Sequence, residues 1–163
     1  MDNRCHMEKV AVFVDVQNIY YTCKQAFGRS FNYRALFQNL NYTTQIEYAI
    51  AYAIAPADDG QVKFQDALKH IGFDVKLKPY IQRSDGSAKG DWDVGITIDV
   101  LDYAEQVDKV ILLSGDGDFD LLMAKVAQKF NCKTEVISVT ELTAKSLLDV
   151  ISHHTPIDKQ LLI

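Results

Sequence analysis

WDVGITIDVL, Trp92 to Leu101, is the stretch on which the fold turns. Val94, Ile96, Ile98 and Val100 alternate with polar or small residues, which is the period of a strand. Trp92, Ile96, Val100 and Tyr103 also fall on one helical stripe. The helix is the better reading. A strand would carry Gly95 in its middle and would leave no crossover before the buried apolar run Val110 to Leu113. Working outward from that helix, KVAVFVDV (Lys9 to Val16) is a β-branched run of the kind buried on both sheet faces. Helices are expected at 18–27, 33–40, 61–71, from near Phe119 through Phe130 and at 141–151, and strands at 47–54, 73–78 and 134–139. Pro79 to Gly90 reads as a polar loop. The alternation describes an α/β domain with a mostly parallel five-stranded sheet and helices on both faces. Its expected strand order is the Rossmann-like 3-2-1-4-5.

Composition supports one domain over residues 1–163, with a short tail at 1–7. Hydrophobic residues at 48% and charged residues at 24% exclude a disordered chain. No apolar run approaches a membrane span, and the first residues lack a secretory core, so a cytoplasmic protein is expected. Cys5, Cys23 and Cys132 have no CxxC spacing, which argues against a disulfide framework and a zinc site. His153 and His154 show no ligand spacing either.

The acids are unevenly placed. Residues 91–120 hold nine against Lys109 alone, a net −8, while the rest of the chain nets +3. Asp102, Glu105 and Asp108 fit a solvated helix face. The others fall where a parallel α/β sheet binds ligands, beyond the carboxyl ends of its strands at the point of strand reversal. Asp15 ends the first strand and Asp116 follows the fourth, after LLSG (Leu112 to Gly115). Asp93 opens the decisive helix, and Asp118 lies just beyond Asp116. Carboxylates meeting there would resist ionising without a cation, and an oxygen-only set suits Mg²⁺ or Mn²⁺. Asn18 is either the cap of the first helix or a contact to metal-bound water or phosphate. Asp118 has a rival role as a cap, Asp91 reads as the cap of its own helix, and Asp120 suits a helix N-terminus. Asp99 interrupts an apolar stretch and needs a partner, whether the site or a backbone donor.

VAVFVDVQNIY (Val10 to Tyr20), KGDWDVGITIDVL (Lys89 to Leu101) and LLSGDGDFDLL (Leu112 to Leu122) together resemble the NYN domain in its LabA-like branch, part of the PIN-like nuclease group. The resemblance spans about residues 8–155, the expected core of the domain. The resemblance implies a Mg²⁺-dependent ribonuclease centre at Asp15, Asp93, Asp116 and Asp118, as catalytic residues and ligands of one or two ions. Asn18 would be a polar accessory, and Ser114 and Asp99 match family positions. Many members have Ser where Gly117 stands. RNA is the implied partner, and a homodimer aligning two clefts is compatible. Residues 63–89 net +3, with Lys78, Arg83 and Lys89 flanking the loop and Tyr80 able to stack on a base. Arg83 and Lys89, with Asn18 and Ser114, are therefore the expected substrate contacts.

Three rivals remain. GDGDFD (Gly115 to Asp120) also matches the acidic motif of haloacid-dehalogenase-type phosphatases, but Gln17 stands where their general acid belongs. A receiver-type phosphoacceptor wants an acidic pair after strand one, where only Asp15 is present. A non-catalytic protein binding metal or RNA on the same fold is the third.

Overall fold

The computed structural model describes residues 7–55, 58–78 and 91–163, with backbone alone at 81–82 and 88–89. The apolar run of the first strand forms β1 (Lys9–Asp15), followed without a linker by α1 (Val16–Phe27). Next come α2 (Tyr33–Thr43), β2 (Gln45–Ile54), α3 (Asp59–Ile71) and β3 (Asp74–Lys78). Two short strands, β4 (Ile81–Gln82) and β5 (Ala88–Lys89), pair antiparallel within the stretch read as a loop. The chain continues through α4 (Asp93–Tyr103), β6 (Lys109–Leu113), α5 (Asp120–Phe130), β7 (Lys133–Ser138), α6 (Lys145–Leu148) and β8 (His153–Pro156).

The main sheet has the order β3-β2-β1-β6-β7-β8, and every neighbouring pair is parallel. The expected 3-2-1-4-5 order is present with a sixth strand added. β8 was not anticipated: its sequence HHTP has no apolar alternation, and it sits on the sheet edge, where the missing N–H of Pro156 breaks no inner ladder. The helix expected at 141–151 shrinks accordingly to a 3₁₀ turn at Thr140–Leu142 and the four residues of α6.

Alternation along β1 assigns the layers. Val10, Val12 and Val14 pack with Ile19 and Cys23 of α1, Leu36 of α2 and Leu68 of α3. Ala11 and Phe13 pack with Ile96 and Val100 of α4, Met123 and Val126 of α5 and Leu147 of α6. The segment that decided the fold is a helix. Its inner side is Ile96 and Val100, while Val94 and Ile98 are exposed, so it is apolar on both sides. Gly95 is needed there because a Cβ would lie 2.6 Å from the Trp92 ring.

The sheet reverses direction of growth at β1, which has β2 on one side and β6 on the other. That junction opens a crevice beyond the carboxyl ends of these two strands. Among the described residues, no helix is long and apolar enough to cross a membrane.

Candidate metal centre

Asp15 is the last residue of β1 and also the cap of α1. Its Oδ1 accepts the Asn18 N–H at 3.4 Å and its Oδ2 accepts the Ser114 hydroxyl at 3.1 Å. Because α1 starts at Val16 rather than at 18, the cap expected of Asn18 falls to Asp15. Asn18 instead accepts the Gly115 N–H on Oδ1 at 3.0 Å, stitching α1 to the turn after β6. Its side-chain amide also carries two N–H donors, which make no hydrogen bond among the described residues. Gly115 is required by close approach: a Cβ would lie 2.9 Å from the Leu142 carbonyl oxygen.

Ser114 follows β6 and is fully buried. Its Oγ accepts the Asp116 N–H at 3.2 Å while donating to Asp15. This hydroxyl bridges both acids and is buried, whereas the sequence reading places it among the substrate contacts. Asp116 in turn caps the 3₁₀ turn Gly117–Phe119, its Oδ1 accepting the Asp118 N–H at 2.9 Å. The capping role weighed for Asp118 therefore belongs to Asp116. Asp93 opens α4, and its N–H is held by Asp91 Oδ1 at 3.2 Å, so Asp91 does support the helix start. Asp120 accepts the N–H of Leu121 at 2.6 Å.

These local devices bring one carboxylate oxygen each from Asp15, Asp93 and Asp116 within 4.8 Å of one another. None of the three forms an ion pair among the described residues. The electrostatic consequence is large. Burial pushes the Asp15 carboxyl up to about 6; the bonds from Asn18 and Ser114 oppose the shift, while Asp116 and Asp91 add to it. Burial, then the charges of Asp116, Asp91, Asp15 and Asp118, push Asp93 up to about 7. Three hard oxygen donors that ionise reluctantly suit a small divalent cation and suit zinc or copper poorly. The donor set thus fits Mg²⁺ or Mn²⁺.

Asp118 lies outside this group. It is exposed and borders a groove between α4 and α5 with Thr97, Leu101, Leu121 and Lys125. Asp99 is elsewhere as well. It accepts Lys76 Nζ at 2.7 Å and the Tyr52 hydroxyl at 2.8 Å, so its partner is neither the site nor a backbone donor. Arg83 and Tyr80, and the side chain of Lys89, lie outside the described residues.

Lys78 and Trp92 form a support that sequence reasoning did not assemble. Lys78 Nζ donates to the Asp91 carbonyl at 3.0 Å and sits 4.7 Å from the Trp92 ring centre. The Trp92 indole N–H donates to the Ala53 carbonyl at 2.9 Å. Together they tie the start of α4, and with it Asp93, to the ends of β2 and β3. Only the neighbouring acids hint at this in the sequence. Cys23 and Cys132 are buried, and burial lifts both thiols to about 11, as inert core thiols should be.

A doubly wound sheet whose reversal point gathers unpaired carboxylates is the layout of PIN-like nucleases. The chain matches the NYN domain over residues 9–158 and belongs to that family, in its LabA-like branch. It is 31% identical over 147 residues to the low amplitude and bright protein LabA of Synechococcus elongatus, a match covering 85% of this chain and 78% of that protein. A crystal structure of a protein of unknown function from Vibrio parahaemolyticus is 48% identical, with a TM-score of 0.92 covering 97% of this chain and 98% of that one. The family and the acidic cluster together support a nuclease-like or RNA-related role.

Proposed function

We propose that the protein is a Mg²⁺-dependent ribonuclease, residues 1–163 acting as one cytoplasmic domain, with Asp15, Asp93 and Asp116 as direct ligands. The observation that carries this reading is the meeting of three carboxylates at the strand-reversal crevice with no cationic partner among the described residues. Such a cluster is destabilising in itself, and a bound cation is the simplest agent that relieves it. Bound Mg²⁺ or Mn²⁺ supplies a lowered pKa for coordinated water and neutralises charge on the phosphodiester.

The protein's own groups do the rest. Ser114 and the Asn18 backbone N–H hold the Asp15 carboxylate in one orientation, as supporting partners of ligands do. The Asn18–Gly115 bond fixes the separation of the β1 and β6 ends, and Asn18 amide hydrogens face a phosphate oxygen. Asp118, displaced toward the α4–α5 groove, holds a second ion or orients water. Lys89 and Arg83, in the segment between β3 and α4, contact the RNA backbone. A homodimer aligning two such crevices is compatible with this arrangement.

The test is cleavage of labelled RNA by purified protein with and without Mg²⁺. Activity should require the ion, fall to background with chelator, and vanish in Asp15→Asn and Asp116→Asn variants that remain folded. Wild-type-like cleavage by both variants would overturn the reading. A phosphate monoester should remain intact, since the exposed Gln17 offers no general acid two residues after Asp15. Turnover of the monoester, with RNA untouched, would favour the phosphatase class.

A further inference from the structure

The acid-rich stretch has a counterpart that composition alone conceals. Between Asp15 and Glu47 there is no acidic residue at all, although the chain carries 22, and the same interval contains Lys24, Arg29 and Arg34. It comprises α1, α2 and the turn between them, the part of one helical layer that begins directly after Asp15, with α3 completing the layer. Within that layer, Gln17, Tyr20, Tyr21 and Lys24 recur at i, i+3, i+4 and i+7, so they share one face of α1. All four are exposed, Tyr20 at 53% and Tyr21 at 60%. The two rings touch edge to face with centroids 5.3 Å apart. Lys24 makes no ion pair among the described residues.

We infer that this face of α1 is a track for single-stranded polynucleotide, on which Tyr20 and Tyr21 stack unpaired bases and Lys24 meets a phosphate. The inference rests on the ribonuclease reading and adds which strand form the site accepts and by which surface it enters. Tyrosine offers a flat face to any base, and that face is available only when the base is not paired. The absence of acids matters as much as the rings. A polyanion approaching across α4 meets Asp91, Asp102 and Glu105, whereas α1 itself carries no acid after Asp15, and Glu141 and Asp158 lie only beyond its far end, in a groove with Phe27 and Arg29. Tyr21 lies six residues beyond Asp15, about 9 Å along the helix axis. A base stacked there and a phosphodiester at the carboxylates belong to one short run of strand.

The track is tested by binding, apart from cleavage. In an Asp116→Asn background, the anisotropy of a short labelled RNA is followed single-stranded and as a duplex of the same sequence. Single strand should bind more tightly. Replacing both tyrosines (Tyr20→Ala with Tyr21→Ala) should weaken single-strand binding by about 10-fold or more and leave duplex binding unchanged. Replacing both with Phe should restore it, since stacking needs the ring and not the hydroxyl. Lys24→Ala should lower the salt dependence by roughly one phosphate contact. Equal binding of single strand by wild type, the double Ala variant and the double Phe variant would overturn the inference, as would a preference for duplex. Cleavage of bis(p-nitrophenyl) phosphate, a diester without bases, separates the two ideas. It should survive the tyrosine replacements and be lost in Asp15→Asn. Diester cleavage that persists in Asp15→Asn or without Mg²⁺ would count against the metal centre and leave the track standing.

Discussion

The two ends of the parallel sheet treat carboxylates in opposite ways. At the amino ends of the strands, Glu8 and Glu135 flank Lys109, whose ammonium lies 3.2 Å and 3.1 Å from them, and Lys133 adds a contact to Glu8 at 3.4 Å. Burial works against the Lys109 charge, yet its hydrogen bonds to Glu135 and Glu8 outweigh that and hold its pKa above the ordinary value. At the carboxyl ends, Asp15, Asp93 and Asp116 converge with no such counter-ion among the described residues. One end is electrostatically complete within the chain. Among the described residues the other gathers acids without a counter-ion, and that asymmetry is what separates a structural ion-pair network from a candidate site.

The sharpest way to break this comparison is to neutralise single acids at the carboxyl end. Asp116→Asn should reduce Mg²⁺-dependent cleavage well beyond the ~10–100-fold that loss of a supporting partner costs a metal site. Ser114→Ala, which removes the shared brace, should fall within that lower range, read as a raised Mg²⁺ requirement. At the amino end, Lys109→Met should leave Glu135 nearly buried and unpaired, and urea denaturation should record a loss of about 3 kcal/mol.

The next effect has the opposite sign. In metal-free protein the native pKa of Asp15 is about 6, against an ordinary 3.8, so the folded state keeps a proton that the unfolded chain releases. That contribution is fully present below pH 4 and is lost as pH rises through 6. Asp15→Asn removes the loss, because the amide can still accept the Asn18 N–H and donate to Ser114. The variant should therefore be more stable than wild type at pH 7, by about 3 kcal/mol, and no more stable at pH 4. Saturating Mg²⁺ should close the gap by raising the wild-type midpoint alone. The smallest effect is a control. Lys145 and Asp149 form an exposed pair at 3.4 Å one turn apart, and breaking it should change stability by less than about 0.5 kcal/mol.

Most of the site was legible because parallel topology is restrictive. Once β1 and β6 are neighbours, Asp15 and Asp116 must share a rim, and any helix entering β6 from that rim brings its first residues with it. What was not legible depended on local starts and distant partners. α1 begins two residues earlier than its apolar pattern suggests, so Asp15 and not Asn18 became the cap. Asp99 advertised its need for a partner, but Lys76 and Tyr52 come from strands whose register no local pattern records. The ambiguity of Trp92 to Leu101 had a physical origin as well. Val94 and Ile98 remain on the outside of α4, so the two periodicities competed on equal terms. β8 was missed because an edge strand need not be apolar.

Trp92 is the chain's lone tryptophan, and it precedes Asp93 with its indole N–H on Ala53, its ring beside Tyr52 and the Lys78 ammonium over its face. The protein thus carries a built-in optical probe one residue from the crevice. Any event that displaces the start of α4 should register in the emission of that single indole, with no label attached.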